Sequence, residues 1–170
     1  KDVGMVGAKL YYPDDTIQHA GVVVGLGGVA AHVLCKLPRD AEGYMGRLRC
    51  VQEISAVTAA CMMVKTSVFK AVGGFDEELK VAFNDIDLCM KVRKYGVKIV
   101  FTPYAELYHY ESKSRGMEDT PEKQLRFSRE VNCFRRKWER ELLKGDPYYN
   151  PNLTLNNTDC SLRKQEKNGD

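Results

Sequence analysis

The chain has 170 residues, of which 44% are hydrophobic, and this length and composition predict one compact domain with an ordinary globular core. Its formal net charge of +3 is too small to indicate a nucleic-acid partner, so none is expected. The six cysteines have no zinc-finger spacing, and no apolar run approaches the roughly 18–20 residues that span a bilayer, which argues against a zinc module and an integral membrane protein.

A β-hairpin is the first predicted element. Residues 3–12 and 17–25 are rich in β-branched and apolar side chains, and the turn-forming residues 13–16 separate them. Residues 25–49 then form an irregular, glycine-containing loop, and a loop of this length inside a compact domain is usually functional or mobile. Its glycines do not make a phosphate loop, because no Gly-Lys-Ser/Thr follows them.

The middle of the chain predicts alternating strands and helices. In chain order they are a strand, two helices and two short strands, at residues 57–64, 66–71, 84–96, 98–102 and 105–108. Gly73-Gly74 follows the first helix, Asn84 or Asp85 is the predicted N-cap of the second, and Pro103 separates the last two strands.

The longest predicted helix starts at Thr120-Pro121, with Thr120 as its N-cap, and ends at Lys144-Gly145. Its apolar residues recur every three or four positions, which is typical of an amphipathic helix with one face in the core; they are Phe127, Val131, Phe134, Trp138 and Leu142.

The last third of the chain is also distinctive in its charge. Residues 113–144 carry ten Lys or Arg against six Asp or Glu, which predicts either solvated surface or a face that meets phosphates or an anionic membrane. Residues 156–170 are almost entirely polar, so we predict a disordered tail there.

Two carboxylates, Asp85 and Asp87, fall in the first turn of the predicted helix at residues 84–96. The helix dipole and the free backbone N–H groups at that end favour an ionised carboxylate. Residues two apart diverge by about 200° around a helix, so both side chains cannot face one small substrate. We therefore predict that one reaches a site, while the other caps the helix or pairs with Lys91 or Arg93.

A longer motif surrounds these carboxylates. It reads Gly-Gly-Phe-Asp-Glu from Gly73 and Phe-Asn-Asp-Ile-Asp-Leu-Cys-Met-Lys-Val-Arg-Lys-Tyr-Gly from Phe83. This pattern resembles the acceptor-side signature of family 2 glycosyltransferases, and the resemblance extends over roughly residues 6–153. It implies that residues 1–155 are the C-terminal, acceptor-side part of an α/β domain of the GT-A, Rossmann-like type, with a mixed sheet and flanking helices.

The resemblance also implies a reaction. Family members transfer a sugar, with inversion, from a nucleotide-diphosphate sugar to a glycan or lipid-linked acceptor, here in surface polysaccharide or cell-wall glycan synthesis. Asp85 matches the general base, whereas Asn84 stands where the family usually has Glu. Thr58, Ala59 and Asn84 match acceptor-binding positions, with Ala59 in place of a usual Gly. Plain core packing is an equally open interpretation of the segment at Thr58.

The donor side of the site is implied by the resemblance at two further positions. His109 would lie near the metal or the diphosphate, as a ligand of Mg or Mn, and Arg115 would neutralise the leaving phosphates. Without the resemblance, His109 is a half-buried structural residue and Arg115 is solvated surface. The chain enters a strand almost at once and does not begin with Met, so we expect the remaining metal ligands and the N-terminal half of the domain upstream of Lys1.

Three interpretations stay open on the sequence alone. The first is the enzyme described above, in the cytoplasm or at the inner face of the membrane, with the isolated chain expected to be inactive. The second is a non-catalytic glycan-binding or assembly module derived from such an enzyme. The third is a membrane-surface or scaffold domain that acts through its basic helix.

Overall fold

The computed structural model describes residues 2–110 and 120–164, and these contain seven strands and four α-helices. The strands are β1 (Val3–Tyr11), β2 (Ile17–His19), β3 (Val22–Val24), β4 (Ala30–His32), β5 (Gln52–Glu53), β6 (Met62–Val64) and β7 (Lys98–Tyr108). The helices are α1 (Thr66–Ala71), α2 (Asn84–Lys94), α3 (Pro121–Lys137) and α4 (Glu139–Lys144). Within the described ranges, none of the helices combines the length and the apolar character needed to cross a membrane.

A five-stranded mixed sheet is the centre of the fold. β1 and β7 are its parallel pair; β2 and β6 run antiparallel to β1, and β5 runs antiparallel to β7. β3 and β4 form a separate antiparallel pair. The predicted α/β class, a mixed sheet with flanking helices, is confirmed. The predicted hairpin is confirmed in part: β1 pairs with β2 and places Leu10 opposite His19, but residues 22–24 of the predicted second strand form β3, which pairs with β4 instead.

β7 contains a three-residue bulge that the sequence predicted as a gap between two strands. Ala8 of β1 is in register with Thr102, but the next residue, Lys9, is in register with Glu106, so residues 103–105 loop out. Pro103 accounts for the interruption, since proline has no N–H to donate to a neighbouring strand. The bulge leaves Tyr104 81% exposed.

α2 packs against the sheet through a row of buried side chains, which are Ile86, Leu88, Cys89, Met90 and Val92. Cys89 Sγ lies 3.5 Å from Met5 Sδ, which joins the helix directly to β1. The helix begins after Phe83, a residue in the left-handed region with φ of 61°, and no side chain caps it. The prediction that Asn84 or Asp85 is the N-cap is therefore wrong, because both residues lie inside the first turn.

One buried carboxylate, Glu130 of α3, holds the loop that leads into α2. Its Oε1 accepts hydrogen bonds from the N–H groups of Lys80 and Val81 at 3.1 Å each, and its Oε2 accepts one from Ala82 at 2.8 Å. Glu130 is only 3% exposed. Three consecutive N–H groups bound by one anion fix the path of the chain just before the first turn of α2.

The carboxylate of Asp87 in α2 is fully buried, and it pairs with one lysine of α2 and one lysine of α3. Lys137 Nζ lies 2.7 Å from Oδ1, and Lys91 Nζ lies 3.2 Å from Oδ2. Trp138 Nε1 donates to Oδ1 at 2.8 Å, and Lys137 also pairs with Asp76, whose pKa it lowers. The prediction that one of the two motif carboxylates pairs with a nearby base is thus confirmed for Asp87 and Lys91.

The predicted helix over residues 120–144 is divided in two. Thr120 caps α3 as predicted, since its side chain accepts a hydrogen bond from the N–H of Lys123. Trp138, with φ of −114° and ψ of 22°, then separates α3 from α4. The break lets the indole reach Asp87 while the ring itself stays in the core, as the apolar stripe predicted.

Residues 156–164 follow a defined path, which differs from the disordered tail predicted there. The N–H of Leu34 donates to the carbonyl of Thr158 at 2.6 Å, and the N–H of Arg163 donates to that of Asn152 at 2.8 Å. Cys160 is buried. Backbone hydrogen bonds, which composition does not reveal, hold this segment. Residues 165–170, the rest of the predicted tail, lie outside the described residues.

We predict that Glu130→Ala lowers the free energy of unfolding by about 2 kcal/mol, because three backbone N–H groups lose a charged acceptor and only partly recover it from water. Denaturant titration followed by circular dichroism measures the change. Glu139→Gln, at an exposed position in α4, is the matched control and should change stability by no more than about 0.5 kcal/mol. Equal effects of the two substitutions would contradict the role of Glu130.

Asp87→Asn should lower the free energy of unfolding further, by about 3 kcal/mol. Lys91 and Lys137 would then face a neutral amide in place of their shared anion. The same titration measures it. Asp40→Asn, at an exposed aspartate that forms no ion pair with any described residue, is the control and should be nearly neutral. A nearly neutral Asp87→Asn would show that the pairing does not stabilise the fold.

Candidate functional site

Asp85 lies in the first turn of α2 and faces the short 3-10 turn at Ala59–Cys61. Its Oδ2 accepts a hydrogen bond from the N–H of Ala59 at 3.0 Å, and its Oδ1 accepts one from the N–H of Ile86 at 2.9 Å. An ionised carboxylate offers about four acceptor positions, and these contacts use two of them. Because the residue is half-buried, the free positions remain accessible to a ligand.

The turn at Ala59–Cys61 reaches Asp85 because the chain passes very close to β1. A Cβ atom at Gly7 would lie 2.3 Å from the side chain of Val57, so only glycine allows this approach. β6 follows the turn and places Met62 opposite Gly7. Thr58 Oγ1 accepts a hydrogen bond from the N–H of Ala60 at 3.3 Å and so closes the turn.

The structure therefore brings four of the sequence-predicted site residues into one neighbourhood. Thr58 and Ala59 form the turn that binds the carboxylate of Asp85, and Asn84 precedes Asp85 in the same helical turn. Ala59 is exposed and Thr58 is half-buried. Asn84 is also half-buried, and its side chain forms no hydrogen bond within residues 2–110 and 120–164. Its amide is free to bind a ligand.

His109 lies in a different cluster, just beyond the end of β7. Its backbone N–H donates to the carbonyl of Tyr11 at 3.0 Å, and its ring Nδ1 lies 2.8 Å from Gln18 Oε1. The amide nitrogen of Gln18 donates in turn to the carbonyl of His109 at 3.3 Å. Because an amide oxygen can only accept, Nδ1 carries a proton, and in the neutral ring Nε2 has the free lone pair.

A metal site is only partly supported by these residues. A hydrogen bond to Nδ1 is the usual way in which proteins orient a histidine for ligation through Nε2, so His109 suits one ligand position. In the part of the chain that the structure describes, no group of three or more His, Cys, Asp or Glu is arranged to hold a metal ion. Arg115, the other predicted donor-side residue, lies outside the described residues.

A second polar cluster lies near the ends of β1 and β7, and the sequence did not predict it. The guanidinium carbon of Arg39 lies 4.5 Å from the ring centroid of Tyr11, and its Nη2 lies 2.6 Å from Glu106 Oε2. The hydroxyl of Tyr11 donates to Glu106 Oε1 at 2.8 Å. This hydrogen bond and the pairing with Arg39 lower the pKa of Glu106. Arg39 comes from the long loop that the sequence predicted to be functional or mobile.

Comparisons with known proteins indicate which family the chain is related to. No family model matched the chain, and no solved structure matched it. The chain is 60% identical over 161 residues to the protein y4gI of Sinorhizobium fredii, whose printed name states no function; the match covers 94% of this chain and 18% of that protein. It is 39% identical over 170 residues to the O-antigen biosynthesis protein RfbC of Myxococcus xanthus, covering 99% of this chain and 13% of that protein.

A shorter match points to an enzyme. Over 62 residues the chain is 36% identical to the N-acetylglucosaminyl-diphospho-decaprenol L-rhamnosyltransferase of Mycobacterium tuberculosis, which covers 36% of this chain and 20% of that enzyme. The chain thus spans no more than a fifth of the length of any of these three relatives. Its place at the C-terminal, acceptor side of such a domain stays a prediction. By its relatives and its mixed α/β fold, the chain is related to glycosyltransferases of the family 2 type.

Proposed function

We propose that this chain is the acceptor-side part of a GT-A glycosyltransferase that transfers a sugar, with inversion, from a nucleotide-diphosphate sugar to a glycan or lipid-linked acceptor. Asp85 is the general base. The observation that carries this proposal is the position of its carboxylate, which backbone N–H groups hold at the start of a helix while part of it stays accessible. The names of two relatives support surface or cell-wall glycan synthesis as the setting.

In the proposed reaction, an acceptor hydroxyl attacks the anomeric carbon of the donor from the face opposite the diphosphate. The new bond forms between that oxygen and the anomeric carbon, and the bond to the diphosphate breaks, so the bonding electrons leave with the diphosphate. The hydroxyl proton passes to Asp85. Because the N–H groups of Ala59 and Ile86 already hold the carboxylate, little reorganisation is needed when the hydroxyl arrives.

The acceptor would bind against the turn that contacts Asp85. Ala59 is exposed next to the carboxylate, and we assign it and Thr58 to the wall of the acceptor pocket. The free amide of Asn84 can donate to one acceptor hydroxyl and accept from another. Asp87 is excluded from this role, because it is fully buried and its carboxylate is shared by Lys91, Lys137 and Trp138.

His109 and Arg115 would act on the donor. We assign Nε2 of His109 as one ligand of Mg or Mn. A bound divalent cation would supply positive charge next to the leaving diphosphate. We assign Arg115 to the same diphosphate as a fixed cation, on the basis of the sequence resemblance.

The central prediction is that Asp85→Asn in the full-length protein lowers turnover by about a hundredfold or more, which is typical of losing a general base. Stability should change little, because asparagine keeps the size of the side chain and an oxygen that can accept from Ala59. Sugar transfer from a panel of nucleotide sugars, followed by mass spectrometry of the product, measures turnover; thermal unfolding measures stability.

Asp87→Asn, the same change two residues away, is the matched control. It should lower stability more than Asp85→Asn and should lower turnover per folded molecule less. Turnover within a few-fold of the wild type for Asp85→Asn, or a loss that only follows unfolding, would contradict the base assignment. Saturable glycan binding without transfer from any nucleotide sugar would favour the non-catalytic glycan-binding module instead.

A further inference from the structure

A cavity of about 520 Å³ opens beside the bulge of β7, and neither Asp85 nor His109 lines it. Side chains from β1, from the bulge and from the segment between β4 and β5 meet there. The polar and aromatic ones are Lys9, Arg39, Asp40, Arg49, Tyr104 and Glu106. The cavity lies where the register of β1 and β7 shifts, since Lys9 and Glu106 are the first paired residues after the bulge.

Lys9 is a buried cation with few partners. The residue is 4% exposed, and its Nζ lies 3.4 Å from the carbonyl oxygen of Leu48 and 3.5 Å from that of Arg39, both at the outer limit of a hydrogen bond. The centroid of the Tyr11 ring is 5.4 Å from the same nitrogen. Burial lowers the pKa of this amine. Within residues 2–110 and 120–164, no carboxylate lies within ion-pair distance of it.

The other two cations of the cavity already have counter-charges. Arg39 pairs with Glu106 at 2.6 Å and with Asp15 at 3.3 Å. Arg49 lies 3.5 Å from the carboxylate of Glu42 and donates to the backbone carbonyl of Asp40 at 2.9 Å. The charge that lacks a direct counter-charge is therefore that of Lys9. A buried charge of this kind is costly to the fold unless an anion arrives to pair with it.

The remaining lining groups suit a sugar ring. Tyr104 presents an 81% exposed aromatic side chain, which can pack against the C–H face of a pyranose. The carboxylates of Asp40 and Glu106 can accept from hydroxyl groups, while the two guanidinium groups can donate to them. Among the described residues, Lys9 is the cation of the lining that forms no ion pair, so the anionic group of a ligand would lie at Lys9.

We propose that this cavity binds a pyranose that carries a phosphate or a carboxylate, with the anionic group on Lys9 and the ring against Tyr104. The choice of a saccharide rests on the proposed function, whereas the requirement for an anion rests on Lys9 alone. The cavity is separate from the Asp85 neighbourhood, and binding there needs no sugar transfer. A failure of the proposed chemistry and a failure of this site are therefore distinguishable.

Calorimetric titration of the full-length protein with glucose 1-phosphate, glucuronate and glucose tests the proposal. At least one of the two anionic sugars should bind at least about tenfold more tightly than glucose, and the tighter of them identifies phosphate or carboxylate as the preferred group. Lys9→Met should weaken that binding by about tenfold or more, as expected for the loss of a charged hydrogen bond. Its melting temperature should stay equal or rise, because a buried charge is removed.

Lys70→Met is the matched control, since Lys70 is an exposed lysine on α1, and it should leave binding unchanged. Tyr104→Ala provides a second variant at a highly exposed position, where folding is not at risk, and it should also weaken binding. The proposal is overturned if neither anionic sugar binds better than glucose. It is also overturned if Tyr104→Ala and a folded Lys9→Met both bind the anionic sugars like the wild type. If Lys9→Met does not fold, unchanged binding by Tyr104→Ala overturns the proposal by itself.

Discussion

The buried carboxylate of Asp87 ties the helix that carries Asp85 to the last two helices of the described chain. Its partners come from α2 itself, from α3 and from the residue between α3 and α4, so the anion fixes how α2 is rotated about its own axis. The cost of taking this carboxylate out of water is offset by ion pairs with two lysines and by one hydrogen bond from the indole of Trp138. Since residues two apart diverge by about 200° on a helix, the rotation that buries Asp87 turns Asp85 away from the core.

α3 supports the same helix at a second point. Glu130 and Lys137 lie seven residues apart, on one face of α3; the first binds the loop before α2, and the second binds Asp87. Moving α3 would therefore disturb both the entry to α2 and its rotation. The precise position of Asp85 thus depends on a helix whose side chains do not contact it directly.

The signature stretch of the sequence forms one connected network in the structure. Lys91 donates to the carbonyl of Gly74 at 2.6 Å and pairs with Asp87, while Lys137 pairs with both Asp87 and Asp76. The Gly-Gly-Phe-Asp-Glu segment is thus joined to the Asp-Ile-Asp segment through two lysines. Most of the motif therefore holds in place the helix that carries Asp85, the proposed base.

Local patterns in the sequence predicted much of this fold. Segments rich in apolar and β-branched residues around the turn at residues 13–16 predicted the β1–β2 pairing, and Gly73-Gly74 predicted the end of α1. The geometry of one helix was enough to separate Asp87 from Asp85. The family resemblance, rather than any local pattern, linked Thr58 and Ala59 to Asp85, because a contact across 26 residues leaves no trace in periodicity.

Long-range partners account for what the sequence did not predict. Glu130 interrupts the apolar stripe between Phe127 and Phe134, and this position indicates that it is buried. The local sequence does not reveal that its partners are the N–H groups of residues 80–82. Lys9 likewise interrupts an apolar strand, and its cavity depends on a bulge in β7 and on a distant loop. Backbone hydrogen bonds to Thr158 and Asn152 similarly order a segment whose composition predicted disorder.

The stereochemistry of the product most directly tests single-step transfer, which the assignment of Asp85 as a general base requires. Direct attack by an acceptor hydroxyl deprotonated by one carboxylate must invert the anomeric centre, because the hydroxyl approaches from the face opposite the diphosphate. Nuclear magnetic resonance of the freshly formed product, made by the full-length protein with whichever nucleotide sugar supports transfer, reports the configuration through the one-bond coupling between C1 and H1 of the anomeric centre. Inversion relative to the donor is the expected result. Retention would contradict single-step transfer with Asp85 as the base.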